Sequence, residues 1–340
     1  MSEFVFPGLS EERFDWLQLE VTSYCNASCL YCPRTVYREQ WDNRHLPEAL
    51  WQKLIPVFPR TDLVYLQGWG EPLLYPEFFN LARKVREAGS QVGFTTNGML
   101  LDRPKMELIL DLEFYVVAFS LAGIRRNDTV RRGTKLEQVL SALEALASLR
   151  ERRGLKYPRL HVAYMLLRPD LEELPEVPRL LAARGADEVV ISTLDFVPSP
   201  ELEGEALLPK DKRELRQVKR YLTLAVKAGR KAGIAVHYHL PYPWKRRLYC
   251  TENVLRAAFI GVKGTVAPCT FTNLPVTTAP SFVRQSEILT YEPLILGDLN
   301  HNSWEEIWSS PLYQTFRASF RKKELFPPCR ECPKLWGETV

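Results

Sequence analysis

The sequence predicts an α/β fold: a partial (β/α)6 barrel followed by a small C-terminal extension. Three observations carry that reading. Across the first 240 residues, short apolar runs alternate with longer helical patterns, the rhythm of a parallel sheet covered by helices. About six such units fit there, short of the eight that close a barrel. After about residue 245 the alternation stops, and four cysteines appear.

Apolar runs predict strands over Trp16–Val21, Leu63–Gln67, Gln91–Thr95, Phe114–Ser120, Leu160–Leu166 and Glu188–Leu194, with a weaker seventh at Ile234–Tyr238. Between them, Phe78, Phe79, Leu81, Ala82 and Val85 mark a helix that stops near Gly89. Leu136, Val139, Leu140, Leu143 and Leu146 share one face of a second helix, and a third runs from about Pro209 to Ala232, ended by Gly233. The barrel is assigned residues 1–244 and the extension 245–340. In the extension, Ala257–Ile260 and Thr265–Ala267 flank the turn Gly261-Val262-Lys263-Gly264 as a hairpin. Amphipathic helices follow around Ser303–Trp308 and Leu312–Lys322. In parallel α/β folds ligands collect at the carboxyl ends of the strands, and a cysteine run begins just after the first one.

At 340 residues the chain holds one large domain, or a domain with an appendage. Its 46% hydrophobic and 25% charged content excludes the disordered and fibrous classes. A net charge of +4 gives no reason to expect a nucleic-acid partner. The basic runs Arg150–Arg153 and Arg321–Lys323 read as solvated helix ends. No stretch reaches the roughly 18 uninterrupted apolar residues of a membrane span, so no membrane association is expected. Met1–Pro7 lacks the basic and apolar regions of a secretory signal, and a cytoplasmic location is expected. In that reducing setting, clustered cysteines point to metal or redox ligation rather than to disulfides.

The chemistry begins in Glu20-Val21-Thr22-Ser23-Tyr24-Cys25-Asn26-Ala27-Ser28-Cys29-Leu30-Tyr31-Cys32-Pro33. Three thiolates at CxxxCxxC spacing can hold three irons of a [4Fe–4S] cube and leave the fourth open to a ligand; a fully ligated cube mainly carries electrons. Structural zinc is the bland alternative. It favours paired short spacings and a fourth ligand, whereas the next His or Cys after Cys32 is His45.

With Tyr31 directly before the third cysteine, this run resembles the signature of radical S-adenosylmethionine (SAM) enzymes. The resemblance implies a TIM-like partial barrel in which the open iron chelates the amino and carboxylate groups of SAM. Reductive cleavage then yields methionine and a 5′-deoxyadenosyl radical that takes a substrate hydrogen. Gln67-Gly68-Trp69-Gly70-Glu71-Pro72 follows the second strand and is similar to the family's GGEP motif, with Trp69 set among the glycines. By that likeness Gly68, Trp69, Gly70 and Glu71 line the SAM amino group. Glycines admit a close backbone approach, and a carboxylate accepts from an ammonium. Taken alone, the segment is an ordinary Gly-rich turn.

Ser120, ending the fourth strand, and Arg132 resemble the ribose and carboxylate contacts of family members that carry C-terminal cluster domains. An exposed surface arginine is the alternative for Arg131 or Arg132. Thr95-Thr96-Asn97-Gly98 closes the third strand toward the same cavity, and Leu194 is expected to pack on the adenine, with Tyr31 nearby.

Gly264-Thr265-Val266-Ala267-Pro268-Cys269 resembles the GxxxxC hairpin of SPASM and twitch extensions. With Cys250 upstream and Cys329-Arg330-Glu331-Cys332 closing the set, the likeness implies one auxiliary [4Fe–4S] cluster on four protein ligands. A SPASM domain with two clusters has further cysteines beyond its CxxC. Here the eight residues after Cys332 contain none, which favours the shorter, twitch-like form. Three plus four accounts for all seven cysteines. Full ligation leaves no open iron, so the second cluster is expected to pass electrons. A structural zinc on the four cysteines is the alternative.

Leu66–Leu74 (LQGWGEPLL), Thr95–Leu100 (TTNGML) and Ala163–Leu167 (AYMLL) resemble radical SAM maturases associated with tungsten-cofactor oxidoreductases. That likeness implies a maturase acting on a tungsten-containing oxidoreductase or its pterin cofactor, served by an electron donor such as a ferredoxin or flavodoxin. Three alternatives stand beside it. One is oxidation of a small-molecule alcohol, with the auxiliary cluster taking the electron. Another is modification of a peptide or protein side chain, against which stand the roughly fifteen residues before the first strand, too few for a peptide-recognition domain. The third is a non-enzymatic Fe–S electron carrier, against which stand Glu71, Ser120 and Arg132. No residue stands out as a substrate base; Asp195, just past the sixth strand, is the candidate by position. His237 and His239 read equally as hydrogen-bonded structural histidines, and Tyr164 and Trp244 as packing.

Overall fold

The computed structural model describes residues 13–247 and 249–340. The opening segment read for a targeting signal lies outside them. Seven parallel strands form the backbone of the fold: β1 (Phe14–Leu19), β2 (Thr61–Leu66), β3 (Gln91–Thr96), β4 (Val116–Leu121), β5 (Arg159–Leu166), β6 (Glu188–Thr193) and β7 (Ala235–Leu240). They hydrogen-bond in that order, each beside its predecessor, as right-handed strand–helix–strand crossovers lay them down. Strand residues alternate between two environments. Leu17, Leu19, Val64, Leu66, Phe94 and Phe119 are buried under the helices. Gln18, Tyr65, Thr95 and Ser120 take the opposite, concave face. That face is polar and knitted: Tyr65 and Thr95 share a hydrogen bond of 2.8 Å, Thr95 donates to Gln67 Oε1 at 3.0 Å, and Gln18 Nε2 donates to the Gln67 carbonyl at 3.2 Å.

The covering helices follow their apolar stripes. In α1 (Phe78–Glu87) the buried residues are Phe78, Leu81, Ala82 and Val85, and Gly89 beyond it takes φ 89°, the left-handed region that glycine tolerates. Between α2 (Arg103–Asp111) and α4 (Val177–Ala182) lies α3 (Leu136–Arg152), which buries Val139, Leu140, Leu143, Leu146 and Leu149. The long α5 (Lys212–Ala232) starts at Asp211, whose carboxylate accepts from the Arg213 and Glu214 N–H groups, and ends on Gly233 at φ 79°.

The C-terminal segment is woven into the same sheet at both edges. Strand β8 (Ala257–Ile260) pairs parallel with β1, setting Trp16 beside Ala257 and Leu19 beside Ile260. Beyond it lies β9 (Thr265–Ala267), the other arm of the expected hairpin. A separate hairpin of β10 (Ser281–Arg284) and β11 (Glu287–Thr290) touches the barrel through a Val197–Val283 bridge. Outside β9 comes β12 (Gly297–Asp298), and at the far edge β13 (Glu338–Thr339) pairs antiparallel with β7. Helices α6 (Trp304–Trp308), opened by a Ser303–Glu306 capping box, and α7 (Pro311–Lys322) pack their aromatics against the foot of β1; the Phe14 ring meets Trp304 at 5.3 Å and Trp308 at 4.9 Å. Among the described residues, no helix is long and apolar enough to cross a membrane.

Candidate active site

The cysteine loop leaves β1 at Glu20 and is held from behind. Ser23 Oγ donates to the Asp42 carbonyl at 2.7 Å, and the Ser23 N–H donates to the Arg44 carbonyl at 3.0 Å. Cys29 sits on a two-residue antiparallel ladder whose register pairs Ser28 with Arg132 and Cys29 with Arg131. Cys32 precedes the short helix Pro33–Val36, whose Thr35 N–H donates to the Cys32 carbonyl at 2.9 Å. Burial pushes the Cys32 thiol up to about 12, and the charges of Cys29 and Cys25 push the same way. Burial likewise raises Cys25, followed among the raising influences by Glu71 and Cys29. Burial and neighbouring cysteines thus disfavour the thiolates of Cys25 and Cys32, and a multivalent cationic group held by the loop would reverse that penalty.

The loop after β2 lies against the cysteine run. A Cβ on Gly70 would come within 2.3 Å of the Thr22 carbonyl oxygen and 2.5 Å of that of Tyr24, so the backbones pass where no side chain fits. The Glu71 N–H donates to the Tyr24 carbonyl at 2.8 Å. The buried Glu71 carboxylate accepts from Thr96 Oγ1 and from the Asn97 N–H, each at 2.7 Å, and from the Leu73 N–H at 3.4 Å. Burial raises its pKa, and these three donors oppose that. Asn97, which the motif comparison left in the background, proves central. Its amide donates to Asn26 Oδ1 at 2.8 Å and lies 3.9 Å from Cys25 Sγ. The signal was its place at the end of β3, where parallel sheets present functional side chains.

Arg132 requires a correction. It is exposed, and the neighbouring Arg131 is 7% exposed with its Nη1 donating to the Tyr31 hydroxyl at 2.8 Å. Adjacent residues of a strand point to opposite faces, so the register that puts Cys29 opposite Arg131 turns Arg132 outward. Burial works against the Arg131 cation, yet the nearby Tyr31 and Cys29 hold its pKa above the ordinary value. Arg131 Nε is buried without a hydrogen-bond partner, a donor left for a ligand. Ser120 is half-buried on the concave face at the end of β4. Leu194 is 7% exposed and packs in one cluster with Tyr31, Ala122 and Val130, on the Cys29 side of the barrel mouth.

Gly68 and Trp69 face a different neighbour. A Cβ on Gly68 would lie 2.1 Å from Glu20 Cγ, and the Trp69 N–H donates to Glu20 Oε1 at 2.9 Å. The Trp69 ring lies edge-on between Trp41, at 6.4 Å, and Phe271, at 6.1 Å. Its backbone adjoins the cysteine loop while its indole reaches toward the second site.

That second site is a cavity of about 1300 Å³ lined by all four C-terminal cysteines together with Leu194, Asp195, Glu252, Phe271 and Lys334. Burial pushes Cys329 up to about 12 and Cys332 up to about 11, and raises Cys269 and Cys250 well above the ordinary thiol value. The charge of Cys332 also raises Cys250 and Cys329, and the charges of Cys250, Cys332 and Cys329 raise Cys269, so sulfurs from three separate segments act on one another. All seven cysteines are free thiols. Among the described residues no three His, Cys, Asp or Glu side chains close round a single ion. Four thiols lining one cavity offer the sulfur ligands that an iron–sulfur cluster or a zinc ion takes.

Asp195 is engaged by two partners. It accepts from Thr193 Oγ1 at 2.7 Å and pairs with Lys334 Nζ at 3.2 Å; the same ammonium meets Glu252 at 3.2 Å. A carboxylate committed to an ammonium and a hydroxyl is a structural partner. His239 is half-buried and meets Thr339 Oγ1 and the Pro333 carbonyl, whereas His237 is half exposed beside Glu188.

Residues 19–156 match the Radical SAM superfamily, and residues 250–333 match SPASM, an iron–sulfur cluster-binding domain. Along nearly its whole length the chain is similar to the tungsten-containing aldehyde ferredoxin oxidoreductase cofactor-modifying protein of Pyrococcus furiosus. The two are 26% identical over 333 residues, covering 93% of this chain and 86% of that one. PqqA peptide cyclase of Gluconobacter oxydans is also 26% identical, covering 94% and 84%. In fold, the chain is similar to Streptococcus suis SuiB bound to S-adenosylmethionine (TM-score 0.67, 16% identity, 90% of this chain and 68% of that one). It is also similar to anSMEcpe with bound AdoMet (TM-score 0.63, 16% identity, 94% and 88%).

Proposed function

The chain is a radical SAM enzyme with a C-terminal SPASM domain, built for iron–sulfur clusters and SAM, and on that premise we propose how its residues divide the work. Cys25, Cys29 and Cys32 hold a [4Fe–4S] cluster with one open iron, in a barrel of residues 1–244. Cys250, Cys269, Cys329 and Cys332 hold one auxiliary [4Fe–4S] cluster in residues 245–340. When bound, the first cluster and SAM supply reductive cleavage to methionine and a 5′-deoxyadenosyl radical that takes a hydrogen atom from the substrate.

The protein's part is placement. Glu71, oriented by Thr96 and Asn97, offers acceptor oxygens to the SAM ammonium. Arg131 offers a cation and its spare Nε–H to the carboxylate. Ser120 offers a hydroxyl to the ribose, and Tyr31 and Leu194 an apolar wall that keeps water from the reacting centre. The observation that carries this reading is the convergence of Arg131, Glu71 and Asn97 on the three-cysteine loop, with the four-cysteine cavity sharing Leu194. The substrate we assign is a tungsten-containing oxidoreductase or its pterin cofactor, supported by the near-full-length likeness to the Pyrococcus protein. A peptide or protein side chain is the second reading. The likeness to a peptide cyclase favours it, as does a cavity of about 1300 Å³, roomy enough for a peptide segment.

The test is Cys25→Ala in anaerobically reconstituted protein. SAM cleavage should vanish while the C-terminal cluster's iron and electron paramagnetic resonance (EPR) signal persist. Surviving cleavage would sink the assignment of the first site. Incubating the reduced enzyme with SAM and either a tungsten oxidoreductase or candidate peptides then separates the two substrate readings by which one drives 5′-deoxyadenosine release.

A further inference from the structure

From β7 the chain runs over the surface as Trp244-Lys245-Arg246-Arg247 before reaching Cys250. This segment is laddered against the residues that follow Cys332. The Arg247 N–H donates to the Leu335 carbonyl at 2.7 Å, the Gly337 N–H donates to the Lys245 carbonyl at 2.8 Å, and Arg246 forms a bridge with Trp336. The Arg246 guanidinium also donates to the Arg330 carbonyl at 3.2 Å, between Cys329 and Cys332. Lys245, Arg246 and Arg330 are exposed and lie over backbone that carries three of the four auxiliary cysteines.

The acids around this strip are turned to other duties. Glu338 pairs with Lys219, and Asp195 and Glu252 pair with Lys334; Glu331 supplies opposing charge at the rim. Trp244 at 47% exposure and Tyr249 at 63% put large rings on the surface among the cations. Helix α5 has Glu214 as its single acid, and its Lys219, paired with Glu338, lies 5.2 Å from the Tyr242 ring. Exposed aromatics within a basic rim are the composition of a docking surface for an acidic protein. Their place beside a cluster-binding cavity says what such a protein would come for.

We propose that Trp244, Lys245, Arg246, Tyr249 and Arg330 form the docking surface of a small acidic electron-transfer protein that exchanges single electrons with the auxiliary site. The inference rests on the auxiliary-cluster reading above. In each exchange one centre loses one electron and the other gains it, and no atom moves.

The test follows electron exchange between a purified flavodoxin and the anaerobic holoenzyme by stopped-flow absorbance. With wild type, exchange should slow about tenfold as salt rises from about 50 to about 300 mM. Lys245→Glu/Arg246→Glu should slow it about tenfold at low salt, and the Lys245→Ala/Arg246→Ala pair by less, with dithionite reduction, iron content and EPR unchanged in both. Exchange within twofold of wild type for both variants, or no salt dependence, would overturn the docking surface alone. So would tighter binding of a DNA duplex than of the flavodoxin through the same residues. Wild-type protein with one cluster by iron count and EPR would instead bring down the auxiliary-cluster reading, and the proposal with it.

Discussion

Arg131 donates to the Tyr31 phenol oxygen across 2.8 Å, joining the aromatic of the cysteine run to a strand a hundred residues later in the chain. Both side chains are buried, and Arg131 keeps one N–H unspent. Arg131→Met should therefore weaken SAM binding by at least about tenfold, since a charge-assisted hydrogen bond contributes about 1.5–3 kcal/mol. Arg132→Ala, on the outward face, should stay within about twofold. Anaerobic calorimetry with SAM separates them; equal losses would mean that the register of the ladder does not decide the contact.

Gly70 predicts a steric lesion. A methyl group there would meet two carbonyl oxygens of the cysteine loop at 2.3 and 2.5 Å, and backbone yields less readily than a side chain. Gly70→Ala should displace the loop and lose the first cluster while the C-terminal one remains, halving the iron bound. Retention of both EPR signals would show that the two backbones do not need this approach.

Glu20 is fully buried, accepting from the Trp69 N–H at 2.9 Å and the Val262 N–H at 3.2 Å, so one carboxylate joins the Gly68–Glu71 loop to the C-terminal hairpin. Burial raises its pKa to about 7, opposed by those two donors and by Lys263. A folded pKa above the unfolded one makes the folded state bind the extra proton. Stability from Glu20 is then full below about pH 4.5 and declines as pH rises, levelling off above about 7, for a change of about 3 kcal/mol. Glu20→Gln cannot titrate. The wild-type-minus-variant difference in urea unfolding should fall between pH 5.5 and 7.5 and flatten above; a flat difference throughout would place the Glu20 pKa elsewhere.

Most of the fold was legible because a buried parallel strand is a continuous apolar run. Each of the seven strands keeps an apolar face even where polar residues alternate with it, and Gly89 and Gly233 end their helices as left-handed caps. The cysteine run and the Gly70–Glu71 loop were legible as residue types at fixed spacing, and the two lie side by side, with the Glu71 N–H on the Tyr24 carbonyl. The arginine was not. Its choice depends on which of two adjacent residues faces inward, and a two-residue ladder with Ser28–Cys29 sets that over a hundred positions away. Nor was the integration of the C-terminal segment, because strands β8 and β13 are short and their pairing with β1 and β7 leaves no local pattern. Asp195 pointed to the cavity but not to its partner. Position at a strand end marks the cavity, but its partner Lys334 comes from the far end of the chain.

That partnership makes the last prediction. Lys334 Nζ sits 3.2 Å from both Asp195 and Glu252, with side-chain exposures of 14%, 4% and 25% respectively. Burial disfavours the ammonium, and the two carboxylates hold its pKa above the ordinary value. Lys334→Met would leave both carboxylates uncompensated, a loss of about 3–5 kcal/mol that should lower Tm by roughly 5–10 °C and strip iron from the C-terminal site first. Asp195→Asn leaves Lys334 its contact with Glu252 and should cost about 1–2 kcal/mol. Scanning fluorimetry with iron analysis gives the order: Lys334→Met well below Asp195→Asn, which lies slightly below wild type. An Asp195→Asn protein with wild-type Tm and both clusters, but no turnover, would reverse the assignment and make Asp195 the substrate base after all.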